Sequence, residues 1–181
     1  MIGHRARIAL YTCIVALTAA LGVGAIVVLE RDWVPQLNGR VNDSAGVLTV
    51  TDRQRITGTL EQYERETHHQ IAVLMIASLG GEKIEALSLR TANAWRLGNK
   101  GLDDGILVTL AMKERRARIE VGKGMQRFIS DADAKRILDT EMTPLFSRGD
   151  IAGGLERGLE QLMDEGRRFV VEIGTAPTRL D

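Results

Sequence analysis

The sequence has a single cysteine, Cys13, among its 181 residues. A lone cysteine excludes an internal disulfide and any cysteine-based metal knuckle. Every residue after position 13 therefore lacks a thiol nucleophile. The residues before Cys13, "ALYT", lack the small residue that normally precedes a lipid-modified bacterial cysteine, so we do not expect a lipid anchor there.

The sequence also lacks an excess of charge of either sign. It contains 24 basic and 24 acidic side chains, and the residues after position 29 carry 22 basic and 24 acidic ones. A protein that follows a phosphate backbone needs a surplus of lysine and arginine. The balance predicts no nucleic-acid partner.

Complete catalytic motifs are missing as well. There is no GxSxG, no HExxH and no Walker pattern, and the "GKG" at 122–124 does not extend to GxGxxG because Arg127 stands at the third glycine position. The adjacent His68 and His69 end a predicted helix, and we expect both to be surface residues. The sequence thus favours a binding domain over an enzyme.

The one long uncharged stretch is at the start. Residues 8–29 contain no charged side chain, and Arg5 and Arg7 precede them. A membrane-spanning helix needs about 20 apolar residues, whereas the apolar part of a cleaved signal peptide has about 7 to 15. The length predicts an uncleaved N-terminal transmembrane helix, with the basic end in the cytoplasm and the rest of the chain outside it.

A cleaved signal peptide is the alternative for the same stretch, cut after the "VGA" at 23–25. Both alternatives export the remaining residues. We therefore predict an extracytoplasmic domain, in the periplasm or at the cell exterior, which is single-pass membrane-bound if the segment is retained. The predicted regions are a signal-anchor or signal segment at 1–29, a linker at 30–40, a globular domain at 41–171 and a flexible tail at 172–181.

Apolar periodicity in the exported part predicts alternating helices and strands. The near-continuous apolar runs at 70–77 and 105–112 suit strands buried on both faces, and 117–122 would form a hairpin with the second run. Helices are predicted at 52–67, from Ile84 to Gly98, from Ser130 to Met142 with Pro144 as the stop, and from Gly149 onward. The fold class is therefore α/β: a three-layer α/β/α sandwich with a mixed, mostly parallel sheet, preceded by the transmembrane helix.

Two adjacent aspartates in "NKGLDDGILV", Asp103 and Asp104, precede the second apolar run. The hairpin returns the chain to the same end of the sheet, so that Asp131 could approach them, with Asp43 nearby in the entry loop. Clustered carboxylates repel one another, and a divalent cation would remove that repulsion. A proton, a salt bridge, or a tight turn in which the aspartates bond their own backbone are the alternatives.

Five segments in order resemble the TPM-domain family, named for thylakoid-lumen, photosystem II repair and membrane-modulator members. They are "VPQLNGRVNDSAGVLT", "QIAVLMIASLGGEKIE", "AWRLGNKGLDDGILV", "RARIEVGKGMQRFISDADAKRIL" and "FSRGDIAGGLERGLEQL". The resemblance implies an α/β/α sandwich and a divalent cation, calcium or magnesium, at Asp43, Asp103, Asp104 and Asp131. Gln126 departs from the pattern, because relatives often carry an acid there.

The sequence and the resemblance lead to one functional expectation with two alternatives. We expect a membrane-anchored extracytoplasmic accessory domain that binds a divalent cation and supports the assembly or maintenance of membrane or envelope proteins. The enzymatic alternative is a metal-assisted phosphatase of low activity, with Asp131 or Asp43 as the base. The third possibility is that the acidic loop is purely structural and that another exposed face contacts the partner.

Overall fold

A computed structural model describes the backbone of residues 33–175 and the side chains through residue 168. The predicted transmembrane helix at 8–29 and residues 176–181 lie outside this part of the chain. Among residues 33–175, no helix combines the length and the apolar character needed to cross a bilayer. The chain divides into two units after Trp33, and the fold belongs to the second, which begins at Val34.

The fold is α/β, with a mixed four-stranded sheet and four helices. The third helix, α3, is a continuous helical run of three segments, the middle one a π-helical turn. In chain order the elements are β1 (Val41–Asp43), α1 (Val50–Thr67), β2 (Ile71–Ile76), α2 (Ile84–Trp95), β3 (Ile106–Ala111), β4 (Arg116–Val121), α3 (Asp131–Ile137, Leu138–Met142 and Thr143–Phe146) and α4 (Ile151–Thr175).

The strands lie in the order β1-β2-β3-β4. β1, β2 and β3 are parallel, and β4 returns antiparallel to β3. The predicted crossover through α2 and the predicted hairpin are both confirmed. In the register, Ile71 pairs with Ile106 and Ile106 pairs with Val121, so the residues before β2 and β3 and those after β4 share one end of the sheet. We call this the amino end of the sheet.

Each face of the sheet has its own apolar core, because β2 and β3 are buried along their whole length. On one face, Leu74 and Leu107 pack with Ile84 and Leu87 of α2. On the other, Val73 and Val108 pack with the remaining three helices. Two-sided burial explains the continuous apolar runs that the sequence shows for these strands.

The first strand, β1, was not predicted, since residues 33–51 looked like a linker and a loop. Val41 and Asn42 are buried, and Asn42 pairs with Leu74. A strand of three residues is too short to display an alternating pattern, and one of its residues is an asparagine. Its position comes from pairing with β2, which the local sequence does not encode.

The prediction that Pro144 ends the helix was wrong. Pro144 does not end α3, because the π-helical turn Leu138–Met142 precedes it and Pro144 stands in the first turn of the last segment, where a missing N–H is tolerated. Gly154 and Gly158 allow α4 to pack closely against α3. A Cβ at Gly158 would lie 2.4 Å from Met142 Cγ. The last helix also continues through Thr175, past the predicted start of the tail.

Candidate functional site

The loop between α2 and β3 builds the amino end of the sheet, and its path depends on close backbone contacts. Gly98 has φ +97°, and a Cβ there would lie 2.5 Å from Gly105 N. A Cβ at Gly122, after β4, would lie 2.2 Å from the carbonyl oxygen of Asp103. Only glycine leaves room for both approaches. The loop is thereby pressed between the start of β2 and the end of β4.

Asp104 is fully buried in this loop, with 0 % of its surface exposed. Its carboxylate accepts hydrogen bonds from Asn99 N at 2.5 Å, from Asn99 Nδ2 at 2.9 Å and from His69 Nδ1 at 2.7 Å. Asn99 Nδ2 also donates to the carbonyl of His68. A buried charge is tolerable when it is hydrogen-bonded in this way. Asp104 therefore connects the loop to the chain segment that leads into β2.

Two opposing effects set the pKa of Asp104. Burial alone would raise the pKa, but the hydrogen bonds from Asn99 and His69 together outweigh it and hold the pKa below the usual aspartate value. The carboxyl is thus ionised at neutral pH. A group with this preference is a poor general acid and a good structural acceptor.

Asp103 points the other way. Its carboxylate accepts from the backbone N–H of Lys123 at 3.3 Å, and its side chain is exposed. Asp103 has φ +51°, a left-handed conformation that aspartate and asparagine tolerate better than most residues. Lys123 follows β4, whereas the His69 partner of Asp104 precedes β2, and these strands flank β3 on opposite sides. The two adjacent carboxylates therefore have separate environments.

Asp43 lies at the other end of the sheet. It ends β1 level with Met75, whereas Asp104 is level with His69, so about 20 Å of strand separates the two levels at 3.3 Å per residue. The Asp43 carboxylate accepts from the N–H groups of Ala45 and Leu48 at 3.1 and 2.8 Å. It stabilises the turn that leads from β1 to α1.

Asp131 is exposed in the first turn of α3, beside a capping box formed by Ser130 and Asp133. Between residues 33 and 168, no three histidine, aspartate or glutamate side chains form a group that could hold a metal ion. In this geometry Asp43 and Asp104 cannot bind the same cation, and the carboxylate of Asp104 is buried and already accepts three hydrogen bonds from protein groups. The four aspartates do not fit one divalent-cation site.

His69 corrects a sequence-based expectation. His68 is exposed as predicted, but His69 is only 4 % exposed and bonds Asp104. The physical reason is the parallel register: because Ile71 pairs with Ile106, the residue two before β2 stands level with the residue two before β3. The signal was present in the sequence, since both residues directly precede apolar runs that were expected to pair.

A cavity of about 460 Å³ opens on the other side of the loop, between the end of α2 and the end of β4. Arg96, Asp103, Glu120, Lys123 and Gln126 contribute its polar lining. His69 and Asp104 do not line it, so the one buried acid–histidine pair has no access to a molecule in this cavity. The lining also includes Asn93, and it offers charges of both signs.

The comparisons agree with this fold. The family model of the TPM domain matches residues 41–165, and the chain belongs to the TPM-domain family. The N-terminal domain of a protein from P. gingivalis is 30% identical, with a TM-score of 0.65 over 72% of this chain and 83% of that one. No protein with a curated description matches the chain.

Two further solved structures are similar in fold alone. The BA42 protein from Bizionia argentinensis is 19% identical, with a TM-score of 0.60 over 68% of this chain and 83% of that one. The N-terminal domain of a Corynebacterium glutamicum protein is also 19% identical, with a TM-score of 0.57 over 74% of this chain and 87% of that one.

Proposed function

We propose that the protein is an accessory domain that acts by binding, held on the extracytoplasmic side of a membrane by its N-terminal segment, where it supports assembly or maintenance of membrane or envelope proteins. The observation that supports the binding role is that the loop between α2 and β3 has two separate sides, one with the buried Asp104 and one with Asp103 in the cavity. The acid–histidine pair is buried in the scaffold, and the open cavity beside it has a mixed-charge lining that contains no serine, threonine, cysteine or histidine.

The location rests on the amino-acid sequence. Residues 8–29 are uncharged over a length that suits a bilayer, and two arginines precede them. The described domain begins directly after this segment. Its TPM fold leaves the amino end of the sheet, where the chain enters, lined by loops and a cavity that a partner can reach.

Labelling of a single cysteine in intact cells tests the location. In a Cys13→Ser background, Leu37→Cys places a thiol at a side chain that is 42% exposed. A membrane-impermeant maleimide should label it in intact cells, and alkaline carbonate should leave the chain in the membrane fraction. Labelling that requires cell lysis, or release by carbonate, would refute the proposed location.

The same cells test the binding role. A photocrosslinking residue in place of Gln126, which lines the cavity, should join the chain to a membrane or envelope protein. The matched position is Ser147, which is exposed and lines a different cavity with Met112 beyond the opposite end of β3. Equal crosslinking from both positions, or from Ser147 alone, would contradict a role for the cavity at the amino end.

A further inference from the structure

Three basic side chains and one leucine are exposed on the segments that form the amino end of the sheet. Arg96, Lys100 and Lys123 are exposed, and Leu102 is 52% exposed. We call these four residues the basic rim. In residues 33–168 no carboxylate lies within ion-pair distance of the three basic groups, although most other surface arginines in that range are paired.

The contacts of the loops place the rim residues next to each other. Arg96 and Lys123 line the same cavity. Gly124 N donates to the carbonyl of Asp103 at 2.9 Å, and a Cβ at Gly124 would lie 1.9 Å from the carbonyl oxygen of Leu102. The loop that carries Lys100 and Leu102 therefore packs directly against the loop that carries Lys123.

The tether that leads into the domain is short. Trp95 Nε1 donates to the carbonyl of Pro35 at 2.7 Å, which fixes the entering chain to the end of α2, one residue before Arg96. Five residues, 30–34, lie between Leu29, the end of the uncharged stretch, and Pro35, and the six extended Cα–Cα steps span at most about 20 Å. Residues 30–34 are therefore a short connection between the uncharged stretch and the domain.

We propose that the basic rim docks on an anionic phospholipid surface, with Leu102 in contact with the interface. This inference rests on the proposed membrane anchoring. The three unpaired basic side chains outnumber the exposed carboxylate of Asp103, which lies next to Leu102 in the same loop. Together with the exposed leucine they match the chemistry of an anionic bilayer, which attracts basic groups and accepts apolar ones at its headgroup boundary. Each basic residue strengthens such docking by about fivefold, so that three change the docking equilibrium by about 100-fold.

Docking has a consequence for the cavity. Arg96 and Lys123 belong both to the basic rim and to the lining of the cavity. When the rim contacts the lipid, the opening of the cavity between α2 and β4 therefore faces the membrane surface. The partner that reaches the cavity is then a segment of a membrane protein at the lipid surface. Docking of the basic rim would therefore limit the partners of the proposed accessory domain to proteins of the membrane.

The test uses the full chain reconstituted in lipid nanodiscs. Gln126→Cys, in a Cys13→Ser background, carries a fluorophore beside the rim, and Ser147→Cys carries it beyond the opposite end of β3. Lipids with a nitroxide on the headgroup quench fluorophores near the surface. With phosphatidylglycerol present, we expect strong quenching at position 126 and weak quenching at 147, and we expect high salt to remove the difference.

Substitution of the rim completes the experiment. Arg96→Gln, Lys100→Gln and Lys123→Gln together should remove most of the quenching at position 126. A matched triple variant of exposed basic residues elsewhere should retain it: Arg53→Gln, Arg65→Gln and Lys113→Gln. Equal quenching at positions 126 and 147, or quenching unaffected by the rim substitutions, would overturn the proposal. An anionic protein surface would then be the partner to test for the basic rim.

Failure of the anchoring and failure of the docking give different results. A chain that does not copurify with nanodiscs of any composition refutes the anchor. Cosedimentation of that unanchored chain with phosphatidylglycerol vesicles would still support docking of the basic rim on lipid. Absence of cosedimentation would refute the docking as well as the anchor. A chain that copurifies with nanodiscs but shows no lipid-dependent quenching refutes only the docking.

Discussion

The adjacent aspartates offer a direct test of the loop, because their structural roles are opposite. Asp104→Asn replaces one carboxylate oxygen with an NH₂ group in a site where all three partners are donors. His69 can adopt the tautomer that accepts at Nδ1. Asn99 cannot turn its amide without losing the hydrogen bond from Nδ2 to the carbonyl of His68. At least one buried donor is left facing another donor.

Leaving one buried donor unsatisfied costs about 1–3 kcal/mol. For a domain of this size each kcal/mol corresponds to about 3–5 °C, so the melting temperature should fall by about 3–15 °C. Asp103→Asn is the matched control. Asp103 is exposed, makes one long hydrogen bond, and has a positive φ that asparagine also adopts, so we expect a change within about 0.5 kcal/mol.

The pH dependence of the same variant has a defined sign. Folding lowers the pKa of Asp104, so the folded state binds this proton less tightly than the unfolded state. The resulting stability is present above the unfolded pKa of about 3.9 and is lost as pH falls through the lower folded-state pKa. The stability difference between wild type and Asp104→Asn should be constant near neutral pH and shrink in acid.

Thermal unfolding of the detergent-solubilised full chain, followed by circular dichroism, measures the melting temperature, and denaturant unfolding at several pH values measures the pH dependence. Equal destabilisation by the two substitutions would contradict the assigned roles. A difference that grows as the pH falls would contradict the argument that the folded site holds the carboxyl ionised.

Three other predictions concern the same region and its surroundings. Gly122→Ala should destabilise the domain by more than about 3 kcal/mol in denaturant unfolding, because the added Cβ would lie 2.2 Å from the backbone oxygen of Asp103. An unfolding midpoint unchanged from wild type would refute this contact. Tyr63→Phe should leave the unfolding free energy unchanged or raise it, since among the described residues the buried hydroxyl has no hydrogen-bond partner, and a loss above about 1 kcal/mol would reveal one. In calorimetric titration with calcium, any heat of binding should be the same for wild type and Asp104→Asn, because the Asp104 carboxylate accepts its hydrogen bonds from protein donors. Weaker calcium binding by the variant would instead place Asp104 in a cation site.

Much of the fold followed from apolar periodicity alone. The strands β2, β3 and β4 were predicted to within one residue at each end, because continuous apolar runs and a four-residue turn between them are strong local signals. The short strand β1 and the passage of α3 through Pro144 were missed, since each depends on tertiary packing and not on local pattern.

The site was predicted less well than the fold, for a physical reason. The sequence suggested that like charges gather because something neutralises them. In the structure the two carboxylates lie apart: Asp104 is hydrogen-bonded on the β2 side and Asp103 on the β4 side. Which of two alternating side chains turns inward depends on the register of the following strand. The register also explains His69, which the sequence reading had left on the surface.

Retention of the N-terminal segment is the central claim, because both the accessory role and the lipid contact depend on it. Intact-mass spectrometry of the chain isolated from cell membranes measures it directly. The account predicts a full-length chain of 19.9 kDa in the membrane fraction. A chain that lacks residues 1–25 and is recovered from the soluble extracytoplasmic fraction would contradict it.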